Sequence, residues 1–290
     1  MGKSGASASG FHFLADYKKC QRYFQLRYTE RLVRKFVSTK LIYGRNIHAA
    51  LETWYTLLRD GHSRVERTEA MLTTFSTMME TSRPEYAEED FFNADCAAGL
   101  QLLGAYAERW VIEGWHVLAI EQELEAQLPG GATLTGRVDL VVEDLYGSVY
   151  VVDHKTTGWS IDLLTRSLQI SDQTSAYMFL WNANHPEKPA HGAIYNILRK
   201  NKSVIDFARP PVLKCNEDIA DFIADAQDTF DEIAWRITEK RRWNCNKASC
   251  MLYYRPCDYF DICTMPNSKA LLVASLFTVE AEPKPLEEDI

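Results

Sequence analysis

TLTGRVDLVVEDLYGSVYVVDHKTT, residues 133–157, decides the fold. Two runs rich in β-branched residues, 138–142 and 149–152, flank the turn signal Leu145-Tyr146-Gly147, so the stretch reads as two strands joined by a tight connection. Charge sits at matching places. Gly136-Arg137-Val138-Asp139 leads into the first run, and Asp153-His154-Lys155 closes the second. Alternate residues of a strand share a face, so Asp153 and Lys155 point one way and His154 the other. A charged pair ending a buried strand is costly unless partnered, and the preceding strand offers Asp139. An acid two residues before a lysine is a cheap pattern: chance supplies about two in a chain of this composition, and there are three. Asp16-Tyr17-Lys18 falls on an expected helix, where i and i+2 diverge, and Glu282-Pro283-Lys284 lies in the acidic end. Only the 153–155 triplet ends a strand.

Outward from this pair, residues 117–128 (VLAIEQELEAQL) read as a further strand before Pro129-Gly130-Gly131, which predicts a three-strand meander. Helical periodicity is expected over 11–28, 41–59, 66–81 and 92–113 upstream. Downstream, a helix at about 167–184, a strand at AHGAIYNILRK (190–200) and a long helix at about 216–242 follow. The expected organisation is a flexible start (1–10) and one domain over 11–263. That domain has a helical part (11–113), a core carrying the chemistry (116–200), and a last helix with a cysteine-rich patch (216–263). A tail is expected over 264–290. Trp54, Trp110, Trp115, Trp181 and Trp235 are expected to be core residues on helices.

The chain has 290 residues, 46% apolar and 25% charged, with 14 Gly and 10 Pro, which excludes disordered and collagen-like classes. No apolar run approaches the roughly 18 residues of a membrane span, and the first ten residues lack a secretory pattern. A cytoplasmic protein with no membrane partner is expected, its seven cysteines thiols or metal ligands. The net charge of −8 is unevenly spread: residues 1–60 hold eleven Lys and Arg against four acids. A ligand meets the local field, screened beyond roughly 10 Å, so the acidic total does not exclude a polyanion.

Carboxylates on adjacent strands suit Mg²⁺, which takes oxygen ligands and keeps part of its water shell. A lysine beside them can orient a water for attack, or help take its proton, while the ion neutralises charge on phosphate oxygens. With these residues on the page, the chain resembles the PD-(D/E)XK nuclease superfamily, and within it the RecB-type exonuclease branch. The likeness runs from Phe11 to Cys263 as an ordered set of short motifs. It implies a restriction-endonuclease-like α/β fold, a mixed sheet with an antiparallel meander flanked by helices. It implies a metal-ligating His48 from Gly44-Arg45-Asn46-Ile47-His48, with Asp139 and Asp153 as further Mg²⁺ or Mn²⁺ ligands, Lys155 as the catalytic amine and the His154 carbonyl as an added ligand. Gln173 and Tyr177, four apart on one helix face, match a Gln-x-x-x-Tyr element that would position DNA. A glutamate of the first strand often joins the metal; Glu121 and Glu123 are both available, and the sequence does not separate them.

The cysteines form a second pattern. Cys250, Cys257 and Cys263 are spaced too widely for paired zinc knuckles. The resemblance implies that they join Cys20, ahead of the core, to hold a [4Fe–4S] cluster. Cys245 is the rival fourth ligand, and in that case zinc becomes the alternative metal. Cys96 and Cys215 are expected to be packing residues. Lys18, Lys19, Arg22 and Arg27 on the first helix could contact phosphates, or form an ordinary solvated face. No P-loop, Gly-x-Ser-x-Gly elbow or His-Glu-x-x-His helix occurs. The expected function is a metal-dependent DNA exonuclease acting on ends or single strands, with a helicase or recombination partner, in DNA processing, recombination or repair. The alternative is a non-cleaving nucleic-acid-binding or assembly subunit with a structural metal site.

Overall fold

A computed structural model describes residues 9–36, 38–201, 204–252 and 255–280. In chain order its elements are α1 (Phe11–Lys19), α2 (Gln21–Phe24), β1 (Leu32–Arg34), α3 (Thr39–Arg59), α4 (Arg64–Ser82), α5 (Glu89–Arg109), β2 (His116–Gln127), β3 (Thr133–Glu143), β4 (Val149–Thr157), α6 (Ile161–Gln169), α7 (Asp172–Asn184), β5 (Ala190–Asn201), β6 (Val204–Ala208), β7 (Pro211–Val212), α8 (Asn216–Thr238), β8 (Met251–Leu252), β9 (Arg255–Pro256), α9 (Phe260–Thr264), α10 (Lys269–Leu276) and β10 (Phe277–Val279). The chain divides into two compact units, residues 38–227 and the two ends, 1–37 with 228–290. The chain's start folds with its end in one of these units.

In the 38–227 unit the alternation of residues 116–157 becomes the predicted meander. β2 pairs with β3 and β3 with β4, all antiparallel. β5 joins β4 in parallel, and β6 and β7 pair antiparallel with β5. The parallel step needs a crossover, which α6 and α7 supply. The helix expected over 167–184 is therefore two. Ser171 caps the second by accepting a hydrogen bond from the Gln173 backbone N–H at 3.2 Å, so a new helix starts there.

One face of the sheet buries Leu140, Val142, Val152 and Leu198 against Ile47, Trp54, Tyr55, Phe75, Leu102 and Tyr106 of α3, α4 and α5. Each such side chain contributes about 1.5–3 kcal/mol on leaving water. Ser63 and Glu66 form a reciprocal capping box that starts α4. The opposite face receives α7 against β2, β3, β4 and β5. Gly136 permits that approach: a Cβ there would lie 2.6 Å from Leu180 Cδ1.

In the unit of the two ends, Leu26, Leu32, Tyr259, Ile262 and Phe277 form one core, and Tyr17, Phe24 and Ile233 another. β1 pairs antiparallel with β10, Leu32 opposite Val279 and Arg34 opposite Phe277. This corrects the tail expected over 264–290: Leu272, Val273 and Leu276 of α10 pack on the first core, a burial that the acidic end masked. Residues 1–8 of the expected flexible start and 281–290 of the tail lie outside the described residues. Trp235 also departs from expectation, being 46% exposed, and Trp115 lies just before β2 instead of on a helix.

Candidate active site

The strand geometry carries out the 133–157 reading. Leu140 lies opposite Val152, so Asp139 and Asp153 follow at the same end of the β3–β4 pair. Lys155 Nζ lies 2.6 Å from Asp153 Oδ2. The contact is a buried, charge-assisted ion pair. Burial raises the Asp153 pKa, Lys155 opposes this, and the charge of Asp139 adds to it. For Lys155, burial alone would lower the pKa, but Asp153 and Asp139 outweigh it and the net shift is upward. Lys155 is therefore a cation that donates, in this arrangement, and not a ready base. It also donates to Gln173 Oε1 at 3.2 Å, and Gln173 Nε2 donates to the Tyr177 hydroxyl at 3.0 Å. The i, i+4 spacing on α7 thus becomes a chain of donation that starts at the lysine and ends on the Tyr177 hydroxyl.

α3 reaches the site from the other face. His48 Nδ1 lies 3.4 Å from Asp139 Oδ2. Ligand atoms of His48, Glu121 and Asp139 all fall within 4.8 Å of one another, a spacing that suits one metal ion, and no other such trio occurs among the described residues. The structure separates the two glutamates. Glu121 has φ +46°, a left-handed conformation that a non-glycine residue adopts at a cost of order 1–3 kcal/mol. It joins the trio, whereas Glu123 is exposed and sits opposite Arg137. Glu121 also takes Arg137 Nε at 2.9 Å. Burial, helped by the charge of Asp139, nonetheless pushes its carboxyl up to about 7. A site that holds a proton on one carboxylate to relieve crowded negative charge is a site that a cation would relieve better. Asp153 lies outside the close trio, tied to Lys155.

His154 turns its ring to the opposite face, as the strand alternation requires. Its backbone N–H donates to Asp139 Oδ2 at 2.8 Å. The ring stacks on Tyr55 at 5.6 Å and meets the His48 ring edge-on at 5.7 Å. Burial lowers its pKa to about 3, leaving the ring neutral. Beneath it lies a network that spacing did not reveal, because its members are far apart in the chain. Asn196, opposite His154 on β5, lies with Nδ2 3.0 Å from His154 Nδ1 and 2.8 Å from the Tyr106 hydroxyl. Arg209 donates to both carboxylate oxygens of Glu113 at 2.7 and 2.9 Å, and to the Tyr55 and Tyr106 hydroxyls at 2.9 and 3.1 Å. Its guanidinium lies between the rings of Trp110 and Trp115.

Five of the seven cysteines belong to the unit of the two ends: Cys20, Cys245, Cys250, Cys257 and Cys263 line one small cavity of about 10 Å³, and all are free thiols. Cys96 and Cys215 lie in the 38–227 unit, and Cys215 is exposed, which corrects its expected packing role. Cys20 is buried, and its Sγ accepts the Asn246 backbone N–H at 3.3 Å. Among the described residues no three of the sulfurs draw within 4.8 Å of one another. Cys245 borders the same space as the four expected ligands. Of the basic residues expected to meet phosphates, Arg22 contacts Gln25 and Glu30, Arg27 pairs with Glu280 at 2.9 Å, and Lys19 lies over the Tyr23 ring at 4.3 Å. Lys18 is exposed on α1.

The fold is a central mixed sheet flanked by helices, with carboxylates and a lysine at the end of adjacent strands. Residues 11–264 match the PD-(D/E)XK nuclease superfamily, and the chain belongs to it. Nucleases of this superfamily use divalent metals, and the His48–Glu121–Asp139 trio is a group able to hold one. A solved structure named "Putative exonuclease" from Eubacterium rectale is similar in fold, with 13% identity and a TM-score of 0.51, covering 90% of this chain and 98% of its own. The solved protein SSO0001 is similar over 53% of this chain and 69% of its own, at 16% identity and a TM-score of 0.29. No curated protein matches the chain in sequence. No helix among the described residues is long and apolar enough to cross a membrane.

Proposed function

We propose that the chain is a Mg²⁺- or Mn²⁺-dependent deoxyribonuclease that works as an exonuclease on DNA ends or single strands, in recombination or repair. The observation that carries this reading is the His48–Glu121–Asp139 trio beside the buried Asp153–Lys155 pair. The residues fit a hard divalent cation: two carboxylates and an imidazole converge, and one carboxyl holds its proton up to about 7. When bound, such an ion supplies Lewis acidity and a more acidic water. The chain's own groups do the rest. Lys155, kept cationic by Asp153 and held by Gln173, donates to the attacking water or a phosphate oxygen. Tyr177 and Gln173 offer hydroxyl and amide donors to the DNA strand, and Lys18, Lys19 and Arg22 offer charge to phosphates.

Cys20, Cys250, Cys257 and Cys263 would hold a [4Fe–4S] cluster in the unit of the two ends, tying the start of the chain to its end as in the RecB-type branch. One feature supports it: these four free thiols border one cavity. A helicase is the partner such a nuclease would serve.

The test is cleavage of end-labelled single- and double-stranded DNA with Mg²⁺ or Mn²⁺, alongside closed circular DNA. Wild type should shorten linear DNA and spare circles, while Asp153→Ala and Lys155→Ala should not cut. Equal cutting by all three would overturn the catalytic assignment and leave a binding subunit. For the cluster, anaerobically purified protein should absorb near about 400 nm, lose that band in Cys257→Ala and keep it in Cys245→Ala. Stoichiometric zinc without colour would overturn it.

A further inference from the structure

A concentration of unneutralised positive charge lies beside the cysteine cavity, sharing Cys245 and Cys263 with it. In the unit of the two ends, an open groove is lined by Arg22, Arg236, Lys240, Arg241, Arg242 and Lys247, with no carboxylate among its lining residues. In a chain of net charge −8 this is a pronounced local reversal. Two of the six are already engaged: Arg236 donates to Glu232 and the Tyr17 hydroxyl, and Arg22 pairs with Gln25 and Glu30. The other four are exposed, and none has a carboxylate partner among the described residues.

The loop that presents them is held in place. The Arg241 N–H bonds to the Arg236 carbonyl at 2.8 Å and the Lys240 N–H to the Ile237 carbonyl at 3.2 Å, closing the end of α8. Lys240 has φ +48° at this helix terminus, a position where glycine is usual. The Arg236 guanidinium fixes the loop further by donating to the Arg242 carbonyl at 2.9 Å. Aromatic surface accompanies the charge. Trp235 is 46% exposed with the Arg241 guanidinium 4.9 Å from its ring centre, and a second recess beside the groove joins Trp235 to the same Lys240, Arg241 and Arg242. Trp243, in the groove wall, is anchored by stacking on Phe24 at 5.6 Å.

We infer that this groove is a second nucleic-acid-binding surface, which takes the phosphate backbone of a single strand along Lys240, Arg241, Arg242 and Lys247 and stacks a base on Trp235. A cation-lined groove and an accessible indole are what a sequence-independent single-strand site requires. A duplex keeps its bases paired and has no free face for Trp235. An anionic membrane calls for a flat or convex face, whereas these charges line a concavity. The inference rests on the reading of DNA as substrate and adds to it a surface that holds the strand.

The test is fluorescence anisotropy of a labelled oligothymidine of about 20 nucleotides with the full chain, purified anaerobically and kept in EDTA so that nothing is cut. Combined Lys240→Ala, Arg241→Ala and Arg242→Ala should weaken binding at least about tenfold and flatten the slope of log affinity on log salt by about 2, the loss of three phosphate contacts. The charge-matched control Arg59→Ala, Arg64→Ala and Arg166→Ala should stay within about twofold of wild type. Trp235→Ala should weaken binding several-fold with the salt slope unchanged, and Arg241→Lys with Arg242→Lys should retain the slope. Circular dichroism must match wild type for each. Wild-type affinity in the groove variant, a loss equal to that of the control, or preference for phosphatidylserine vesicles or duplex over the oligonucleotide would each overturn the inference. Binding with no cutting when Mg²⁺ or Mn²⁺ is restored would sink the nuclease reading and spare the groove; cutting with groove-independent binding would do the reverse.

Discussion

The backbone N–H of His154 donates to Oδ2 of Asp139 at 2.8 Å, while its ring stacks on Tyr55 from the opposite face of β4. One residue thus joins the side of the sheet that carries Asp139 to the packed network beneath it. The same Asp139 oxygen lies 3.4 Å from His48 Nδ1, so strand and helix meet on a single atom.

Glu121, not Glu123, should matter for metal. Glu121→Gln is expected to weaken Mn²⁺ binding at least about tenfold, whereas Glu123→Gln leaves it within about twofold. Calorimetric titration of each variant checks this; equal effects would detach the strained backbone at Glu121 from metal binding.

The affinity for Mn²⁺ should rise with pH through about 7. Glu121 holds its proton in the metal-free fold up to about 7, against an ordinary value of 4.5, and the ion must displace it. The folded chain then binds more protons than the unfolded one between 4.5 and 7, so this group favours the fold at the acid end and its contribution is lost as pH rises through 7. Titration at pH 6 and 8 in buffers of different ionisation enthalpy should show about one proton released at the lower pH. Glu121→Gln should remove the release.

Arg209→Met should cost about 3–5 kcal/mol, because Glu113 is then a buried charge without its partner. Urea unfolding gives the number through the midpoint at constant m. A loss below about 1 kcal/mol would mean that water reaches Glu113.

Gly99→Ala should destabilise even though alanine favours a helix by about 1 kcal/mol. A Cβ there would lie 2.0 Å from the Phe75 ring, which sits in the core between α4 and α5. Overpacking costs about 1–3 kcal/mol and should win, with partial recovery in Gly99→Ala combined with Phe75→Leu. Thermal unfolding of the single and double variants decides it.

Much of the 38–227 unit was legible in one dimension. Strand alternation marked the meander, and helical periodicity marked α3, α4 and α5, because both patterns are local consequences of backbone geometry. The same locality put Asp153 and Lys155 on one face with His154 on the other. Where the reading erred, the deciding contact was distant. The acidic end hid that Leu272, Val273 and Leu276 pack on a core shared with Leu26, and the periodicity across 167–184 hid the cap at Ser171.

From its residues alone, this chain specified the order of its elements and the kinds of group its chemistry can use, since spacing along a strand or helix dictates which side chains share a face. Only the tertiary structure decided that Glu121 and not Glu123 joins His48 and Asp139, that Arg209 and Glu113 brace His154, and that five cysteines border one cavity. Those choices depend on a strained backbone angle and on side chains brought to one cavity from as far apart in sequence as Cys20 and Cys263, which no local pattern encodes.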